Sequence, residues 1–275
     1  MKQHNKRSHS HRIAANKRAF SSVISTIIFT SVLLIILVVA TFVSMNILNA
    51  QMNSTEFEQA RSNMLLLDTT VQDVSLRPGA GGYVQFNERE GGIGLINQTA
   101  DSLSITAMAN QTTYSTSFNG LVQFIYSGGS LASAAVNPST GYTSLRGDLS
   151  YAYVNLTQGL GFLRLEQNNG AKIKLDYDRV RIVSTGLIDS QTNLVQISFI
   201  HLIKGATSGS GTVNVQVQNI QTNTTTWQFP SGAISITAQH TTPQQNIIQN
   251  YSVNQTGATQ TVVVFSEIQV RVSIT

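Results

Sequence analysis

Hydrophobic and polar residues follow three successive patterns along the 275-residue chain, and each predicts a different kind of structure. The first is an uncharged stretch of 36 residues from Phe20 to Thr55, densest in apolar side chains at Val32–Val43. Counted from Ile24, it offers roughly 20 to 25 residues, which is enough for a helix to cross a bilayer. A helix keeps its backbone hydrogen bonds internal, as lipid requires. This pattern therefore predicts a transmembrane helix.

The second pattern is a repeat of apolar residues at alternating spacings of three and four, typical of one face of a helix. Pro78 and three glycines follow Leu76 and predict the end of that helix. We therefore expect a single transmembrane and assembly helix over residues 20–76. We interpret the repeat as a seam on which helices from different subunits bundle. The seam residues are Phe57, Ala60, Met64, Leu67, Val71 and Val74.

The third pattern begins after Gly82, where short runs rich in β-branched and aromatic residues alternate with turn residues. Asn169-Gly170, between two such runs, is typical of a hairpin turn. The chain is thus predicted to be α+β, with an N-terminal helix followed by an all-β antiparallel sandwich or barrel over residues 77–275. The predicted strands are 83–87, 102–109, 121–126, 149–156, 162–166, 172–176, 179–183, 195–203, 212–220, 233–238 and 261–274.

Charge changes the interpretation of the N-terminus. Residues 1–19 hold six of the 17 cations and no acid, leaving the remainder with a net charge of −2. The high pI therefore belongs to a basic leader, and the rest shows no basic face for nucleic acid. Such a leader is expected to hold the N-terminus in the cytoplasm and to place the C-terminal domain outside the cell. The chain has no cysteine, which excludes disulfides, thiolate metal sites and cysteine nucleophiles.

The order of basic leader, Lys17-Arg18-Ala19, hydroxyl-containing apolar helix and β domain resembles the archaeal type IV pilin and archaellin family. The resemblance implies a class III signal peptide, cut by prepilin peptidase between Ala19 and Phe20, just after Arg18. It also implies a membrane-inserted precursor that the pilus assembly machinery polymerises through its N-terminal helix into a cell-surface filament. Ile24 stands where many bacterial pilins carry Glu, and Ala19 replaces the Gly common in archaellins; both differences favour an archaeal pilin.

Three other interpretations remain open at this stage. A single-span anchor displaying a β-domain binding or adhesion module would keep its leader. An ordinary secretory signal peptide would be cut after Val38-Val39-Ala40, although the apolar stretch exceeds the usual h-region. A surface enzyme is the third, but the chain has no nucleophile elbow, zinc-protease motif or phosphate loop. We therefore expect no enzyme activity, no catalytic residue, no cofactor and no metal.

A few residues outside the helix belong to types that can bind metals or ligands or take part in catalysis. His201 lies in a predicted strand and His240 in a predicted polar turn, so both are interpreted as structural or solvated. Asp176 and Asp178 flank Tyr177 among four cations, which favours a solvated charge cluster over a calcium site. Gly91–Gly94 lacks the context of a nucleotide loop and predicts a turn. Trp227, after the Thr-rich run Thr222–Thr226, is expected to pack at a strand end rather than form a ligand-binding face.

Seven Asn-x-Ser/Thr sequons occur, about 4.5 being expected by chance from the composition. Surface filaments of the archaeal family that this chain resembles are often N-glycosylated, so we expect some of these sequons to carry glycans. The candidates are Asn53, Asn97, Asn110, Asn155, Asn223, Asn250 and Asn254.

Overall fold

A computed structural model describes residues 9–154 and 158–275, with side chains from Ser22 onward. Helix α1 spans His9–Ser75. The chain divides into two compact units, Met1–Met52 and Asn53–Thr275. The second unit thus includes the last part of the helix, and it begins well before the domain boundary predicted at residue 77. The reason is that this part of α1 contributes side chains to the core of the β domain.

The β domain follows the helix directly, and its strands alternate buried and exposed residues as the sequence pattern predicts. Most predicted strands correspond to an observed one, whereas Tyr142–Arg146 and Asn246–Asn254 were not predicted. The described residues form thirteen strands, which are β1 (Gly81–Glu88), β2 (Gly92–Ala109), β3 (Thr112–Ser127), β4 (Tyr142–Arg146), β5 (Ala152–Tyr153), β6 (Phe162–Gln167), β7 (Ala171–Asp176), β8 (Val180–Leu187), β9 (Thr192–Thr207), β10 (Gly211–Phe229), β11 (Ala233–Thr241), β12 (Asn246–Asn254) and β13 (Gln260–Ile274).

These strands form two sheets. One has six strands in the order β1-β10-β13-β9-β8-β5, and the other has seven in the order β12-β11-β2-β3-β7-β6-β4. The seven-stranded sheet is antiparallel, as predicted, but the six-stranded sheet contains two parallel pairs, β13–β9 and β5–β8. The predicted hairpin is present between β6 and β7, where Asn169 and Gly170 both have positive φ.

The hydrophobic core of the β domain consists of two clusters of buried residues. The helix cluster combines α1 with both sheets and includes Met64, Leu67, Phe86, Phe124 and Val272. The second cluster lies between the sheets and contains no helix residue. There Trp227 stacks between Tyr114 and Phe265, with ring centroids 5.9 and 5.6 Å away. Trp227 is therefore a packed core residue, as its position after the Thr-rich run had suggested.

The end of α1 is fixed by a strand residue. The last carbonyls of a helix have no partner within it. Asn219, buried in β10, donates its side-chain amide to the carbonyls of Val74 and Ser75. Its backbone also bonds to Gly79 and Ala80 in the turn that follows. The helix thus ends where β10 can cap it, close to the stop that Pro78 predicted.

Candidate functional site

The N-terminal part of α1 is apolar around its whole circumference. Every described side chain from Ser22 through Gln51 is exposed within the single chain, including large residues such as Phe29, Leu34 and Phe42. A helix that is hydrophobic on all sides normally lies in a membrane or inside a larger assembly. Of the described residues, α1 alone forms a helix long and apolar enough to cross a membrane, which fits a single-pass anchor. We call residues 22–51 the apolar segment.

Hydroxyls within the apolar segment bond to their own helix. Thr26 donates to the carbonyl of Ser22 at 2.9 Å, and Thr41 donates to that of Leu37 at 2.8 Å. Thr30 and Ser31 make equivalent bonds one turn back. Bonds of this kind satisfy the polar group without solvent. These four hydroxyl groups are therefore compatible with lipid.

The residues at the expected processing site lie at the edge of what the structure describes. Arg18, Ala19 and Phe20 belong to helix α1, but their side chains fall outside the described set. Residues 1–8 of the leader are outside the described residues altogether. The cleavage between Ala19 and Phe20 remains a prediction from the sequence.

The seam is buried inside the chain's own β domain, and this corrects its assignment as an inter-subunit surface. All six residues are at most 5% exposed and belong to the helix cluster: Phe57, Ala60, Met64, Leu67, Val71 and Val74. They pack on residues of both sheets, so no second chain can contact them while the domain is folded. The three-four repeat showed correctly that one helix face is buried, but the partner is intramolecular.

Two acidic residues of α1 next to seam positions hold the helix to the β domain, and the sequence alone did not assign them this role. Asp68 is fully buried and accepts hydrogen bonds from Tyr177, Arg146 and Gln72 at 2.6, 2.7 and 2.9 Å. Burial of Tyr177, together with the charge of Asp68 and the hydrogen bond to it, raises the pKa of Tyr177 well above its ordinary value. Asp68 lies four residues after Met64, and that spacing placed it beside the seam.

The second acidic residue, Glu56, holds the turn between β1 and β2. Its carboxylate accepts the backbone N–H groups of Arg89, Glu90 and Gly91, and the hydroxyl of Tyr126. A Cβ on Gly91 would lie 2.4 Å from that Tyr126 hydroxyl, so only glycine fits. Gly91 thus lies in the turn between β1 and β2, as predicted, whereas Gly92 and Gly94 lie within β2 and not in a turn.

The Asp176-Tyr177-Asp178 segment is not the solvated cluster that the sequence suggested. Asp176 and Asp178 are both buried, and Asp176 forms ion pairs with Arg164 and Arg179. Burial opposes ionisation of Asp176, but the two guanidiniums outweigh it and lower its pKa. Burial and the neighbouring Asp176 raise the pKa of Asp178. Of the four cations that flank this segment in sequence, Arg179 pairs with Asp176, whereas Lys174 pairs with Glu166. The second partner of Asp176, Arg164, comes from β6.

A cavity of about 280 Å³ opens beside this segment. We call it the acidic pocket. His240, which the sequence placed in a polar turn, lies on β11 and is only 5% exposed. Its inward position follows the period-two alternation of Ile234, Ile236 and Ala238, a signal that the sequence analysis did not use. The pocket is lined by Gln98, Asp101, Gln123, Tyr142, Leu149, Tyr151, Arg164, Asp176, Asp178, Arg179, His240 and Thr242.

His201, by contrast, is structural. It lies on β9, and its Nδ1 is 2.7 Å from a carboxylate oxygen of Glu267 on β13. Partial burial opposes ionisation of Glu267, but hydrogen bonds from His201, Asn223 and Gln269 outweigh this and lower its pKa. Among the described residues, no three His, Asp or Glu side chains are grouped so that they could hold a metal ion.

The sequons differ in accessibility. Asn53 is buried in the helix, and its side chain lies against Gly129, so the folded domain leaves no room for a glycan. Asn223 is half-buried and donates to Glu267. Asn155 lies outside the described residues. The exposed sequons are Asn97, Asn110, Asn250 and Asn254.

Comparisons with family models, curated proteins and solved structures return no match for this chain. Functional inference therefore rests on the residues and their geometry.

Proposed function

We propose that the chain is a pilin-like structural subunit of an archaeal cell-surface filament. In this proposal the precursor inserts with its N-terminus in the cytoplasm and its β domain outside. Prepilin peptidase then cuts between Ala19 and Phe20, and the pilus machinery polymerises the mature chain. The observation that carries the proposal is the apolar segment, which stays exposed on all sides after the seam has been used inside the domain.

Removal of the basic leader would allow the apolar segment to move from the membrane into a bundle of helices. The six cations of residues 1–19 would be costly to bury in a protein bundle unless they were paired. Once they are cut off, the helix carries no charged side chain until Glu56. Small residues along it (Ser25, Ser31 and Ala40) permit close approach of neighbouring helices. The proposed assembly surface is therefore residues 22–51 rather than the seam.

The alternative is a single-span protein that keeps its leader and displays the β domain as a binding or adhesion module. The exposed apolar segment suits an anchor equally well, because lipid also covers a helix on all sides. The N-terminal residue of the native protein separates the candidates. Phe20 supports the pilin, Met1 the anchored protein, and Thr41 ordinary secretion.

A second experiment tests assembly without disturbing insertion. Changing Ser25, Ser31 and Ala40 together to Leu keeps the segment apolar but removes the small residues that allow close helix packing. We expect normal membrane insertion and a several-fold loss of filaments in electron micrographs of cells. The matched control changes Val32, Ile35 and Val39 to Leu and should retain filaments. Normal filaments from the first variant, or none from wild-type cells, would contradict the proposal.

A further inference from the structure

The acidic pocket holds a histidine that has no hydrogen-bond partner. Both ring nitrogens of His240 are buried and unpartnered. A carboxylate oxygen of Asp178 lies 3.7 Å from Nε2, which exceeds hydrogen-bond distance. Buried polar groups normally have partners, and an unsatisfied one costs about 1–3 kcal/mol. A buried imidazole that lines a cavity and lacks hydrogen-bond partners indicates that a ligand binds there.

The ring is held in a fixed orientation. His240 stacks on Tyr151, with ring centroids 4.5 Å apart and planes 12° apart. Tyr151 in turn donates its backbone N–H to the side-chain oxygen of Gln249 on β12, at 2.6 Å. Arg179 lies over the Tyr151 ring. Since both the aromatic partner and its backbone are fixed, the imidazole is preorganised, which lowers the entropic cost of binding.

The pocket presents both signs of charge and many neutral polar groups. Arg164 and Arg179 are committed to Asp176, and the amide of Gln123 also donates to that carboxylate. Gln98 donates to Gln123 in turn. Burial raises the pKa of Asp101, and burial together with the neighbouring Asp176 raises the pKa of Asp178. The lining thus contains three carboxyls and two guanidiniums, together with amides and hydroxyls.

The combination of acidic, basic and neutral polar groups in the pocket favours some classes of ligand over others. An anion would meet three carboxyls, and a cation would meet two guanidiniums. A coordinated metal ion needs a grouping of ligands that the described residues do not supply. A neutral molecule with several hydroxyls can both donate to Asp101 and Asp178 and accept from or donate to His240. Pockets for drug-sized ligands measure about 300–1,000 Å³, so a cavity of 280 Å³ suits a single ring.

We propose that the acidic pocket binds one sugar ring, with His240, Asp178 and Asp101 hydrogen-bonded to its hydroxyls. The walls of Tyr142, Leu149 and Tyr151 cover the apolar part of the ring. Such a site gives the β domain a carbohydrate-binding function that is independent of whether the chain forms filaments.

The test uses the full chain, produced without glycosylation and kept in a phosphocholine detergent, which itself contains no sugar. The probes are the methyl glycosides of glucose, galactose, mannose and N-acetylglucosamine, followed by saturation-transfer NMR and calorimetry. We expect at least one to bind, with a dissociation constant of about 1 mM or lower. His240→Phe keeps the stack on Tyr151 but removes both nitrogens, and should weaken binding at least about tenfold.

The same substitution at His201, outside the pocket, is the matched control and should leave binding unchanged. Asp101→Asn, at a half-buried position, provides a second pocket variant if His240→Phe does not fold, and should also weaken binding. Fluorescence of the buried Trp227 reports folding in each case. The proposal is overturned if none of the four glycosides binds, or if binding survives in the folded pocket variants. Zinc chloride or methylammonium chloride, bound in place of every glycoside, would also overturn it.

Discussion

The hydroxyl of Tyr177 donates a hydrogen bond of 2.6 Å to Oδ1 of Asp68, and so joins the segment between β7 and β8 to helix α1. Arg146 approaches the other carboxylate oxygen at 2.7 Å. The carboxylate has no exposed surface, so these partners replace the water that it loses on burial. One acidic side chain thereby connects the helix to two distant parts of the β domain.

Loss of the Asp68 carboxylate should destabilise the domain. Asp68→Ala leaves Tyr177 and Arg146 without their acceptor, and we expect the free energy of unfolding to fall by about 3 kcal/mol. Urea unfolding of the full chain in detergent, followed by Trp227 fluorescence, measures it. Asp73→Ala removes an exposed carboxylate from the same helix and should change little. Equal effects of the two substitutions would show that Asp68 is not an anchor.

The seam should behave as a core element of the domain. Leu67→Ala removes a fully buried side chain and should cost about 2–5 kcal/mol of unfolding free energy. The adjacent Leu66 is 55% exposed, and Leu66→Ala should cost much less. The same fluorescence assay, on detergent-solubilised chain without filaments, compares them. If Leu67→Ala leaves this unassembled chain fully stable, the intramolecular packing of the seam is disproved.

Gly161 should not tolerate a side chain. A Cβ at this position would lie 2.0 Å from Oδ1 of Asp68, so the buried carboxylate would have to move away from Tyr177. We expect Gly161→Ala to cost about 1–3 kcal/mol, as overpacking does elsewhere. Gly94→Ala is the control, since a Cβ there meets no atom closer than 4.0 Å. Thermal unfolding of both variants checks the prediction, which fails if they melt together.

Stability should decrease in acid partly through Glu267. Its pKa in the folded chain lies below the ordinary value of 4.5, so the ionised form is the one that folding favours. Its contribution is complete above the unfolded pKa and is lost as the pH falls through the lower folded pKa. Glu267→Gln should therefore lower the melting temperature at about pH 7 but make little difference at about pH 3. A melting difference that is the same at both pH values would refute this.

The control for that experiment is Glu90→Gln, which changes an exposed carboxylate in the turn between β1 and β2. It should alter the melting temperature little at neutral pH. Any general effect of lost negative charge on the chain would show in this variant as well.

Glycans, where present on native protein, should follow exposure. Asn53 is buried, so we expect its peptide to be unmodified. Modified peptides should come from the exposed turn and strand positions Asn97, Asn110, Asn250 and Asn254. Peptide mass spectrometry of native protein tests both statements. A glycan on Asn53 would contradict the packing of this part of the helix, and unshifted masses at every sequon would remove the expectation of glycosylation.

The sequence was sufficient for the fold class because the helix and strand periods are strong local signals. Met64 and Leu67 recur at helical spacing, and Ile234 and Ile236 alternate along a strand. The sequence alone did not identify the packing partners of these elements, because a period shows which face is buried but not what covers it. That is why the seam was assigned to another subunit.

The buried polar groups were harder to predict because their partners are distant in sequence. The hydrogen-bond donors to Asp68, Tyr177 and Arg146, are more than 75 residues away in sequence, so the neighbours of Asp68 along the chain do not indicate them. His240 precedes Thr-Thr-Pro, which favoured a turn, yet pairing with β2 and β12 extends β11 through it. Only the tertiary structure shows that these residues face inward.

The self-bonded hydroxyls of the apolar segment have an energetic consequence. Because Thr26, Thr30, Ser31 and Thr41 are already satisfied by carbonyls of the preceding turn, no bond to the surroundings has to be broken when those surroundings change. Transfer of the segment from one apolar medium to another then carries no desolvation cost from these groups. The free energy of transfer then depends on how well the side chains pack in each medium. Small changes in the shape of the helix surface can therefore decide whether the helix stays in lipid or packs against protein.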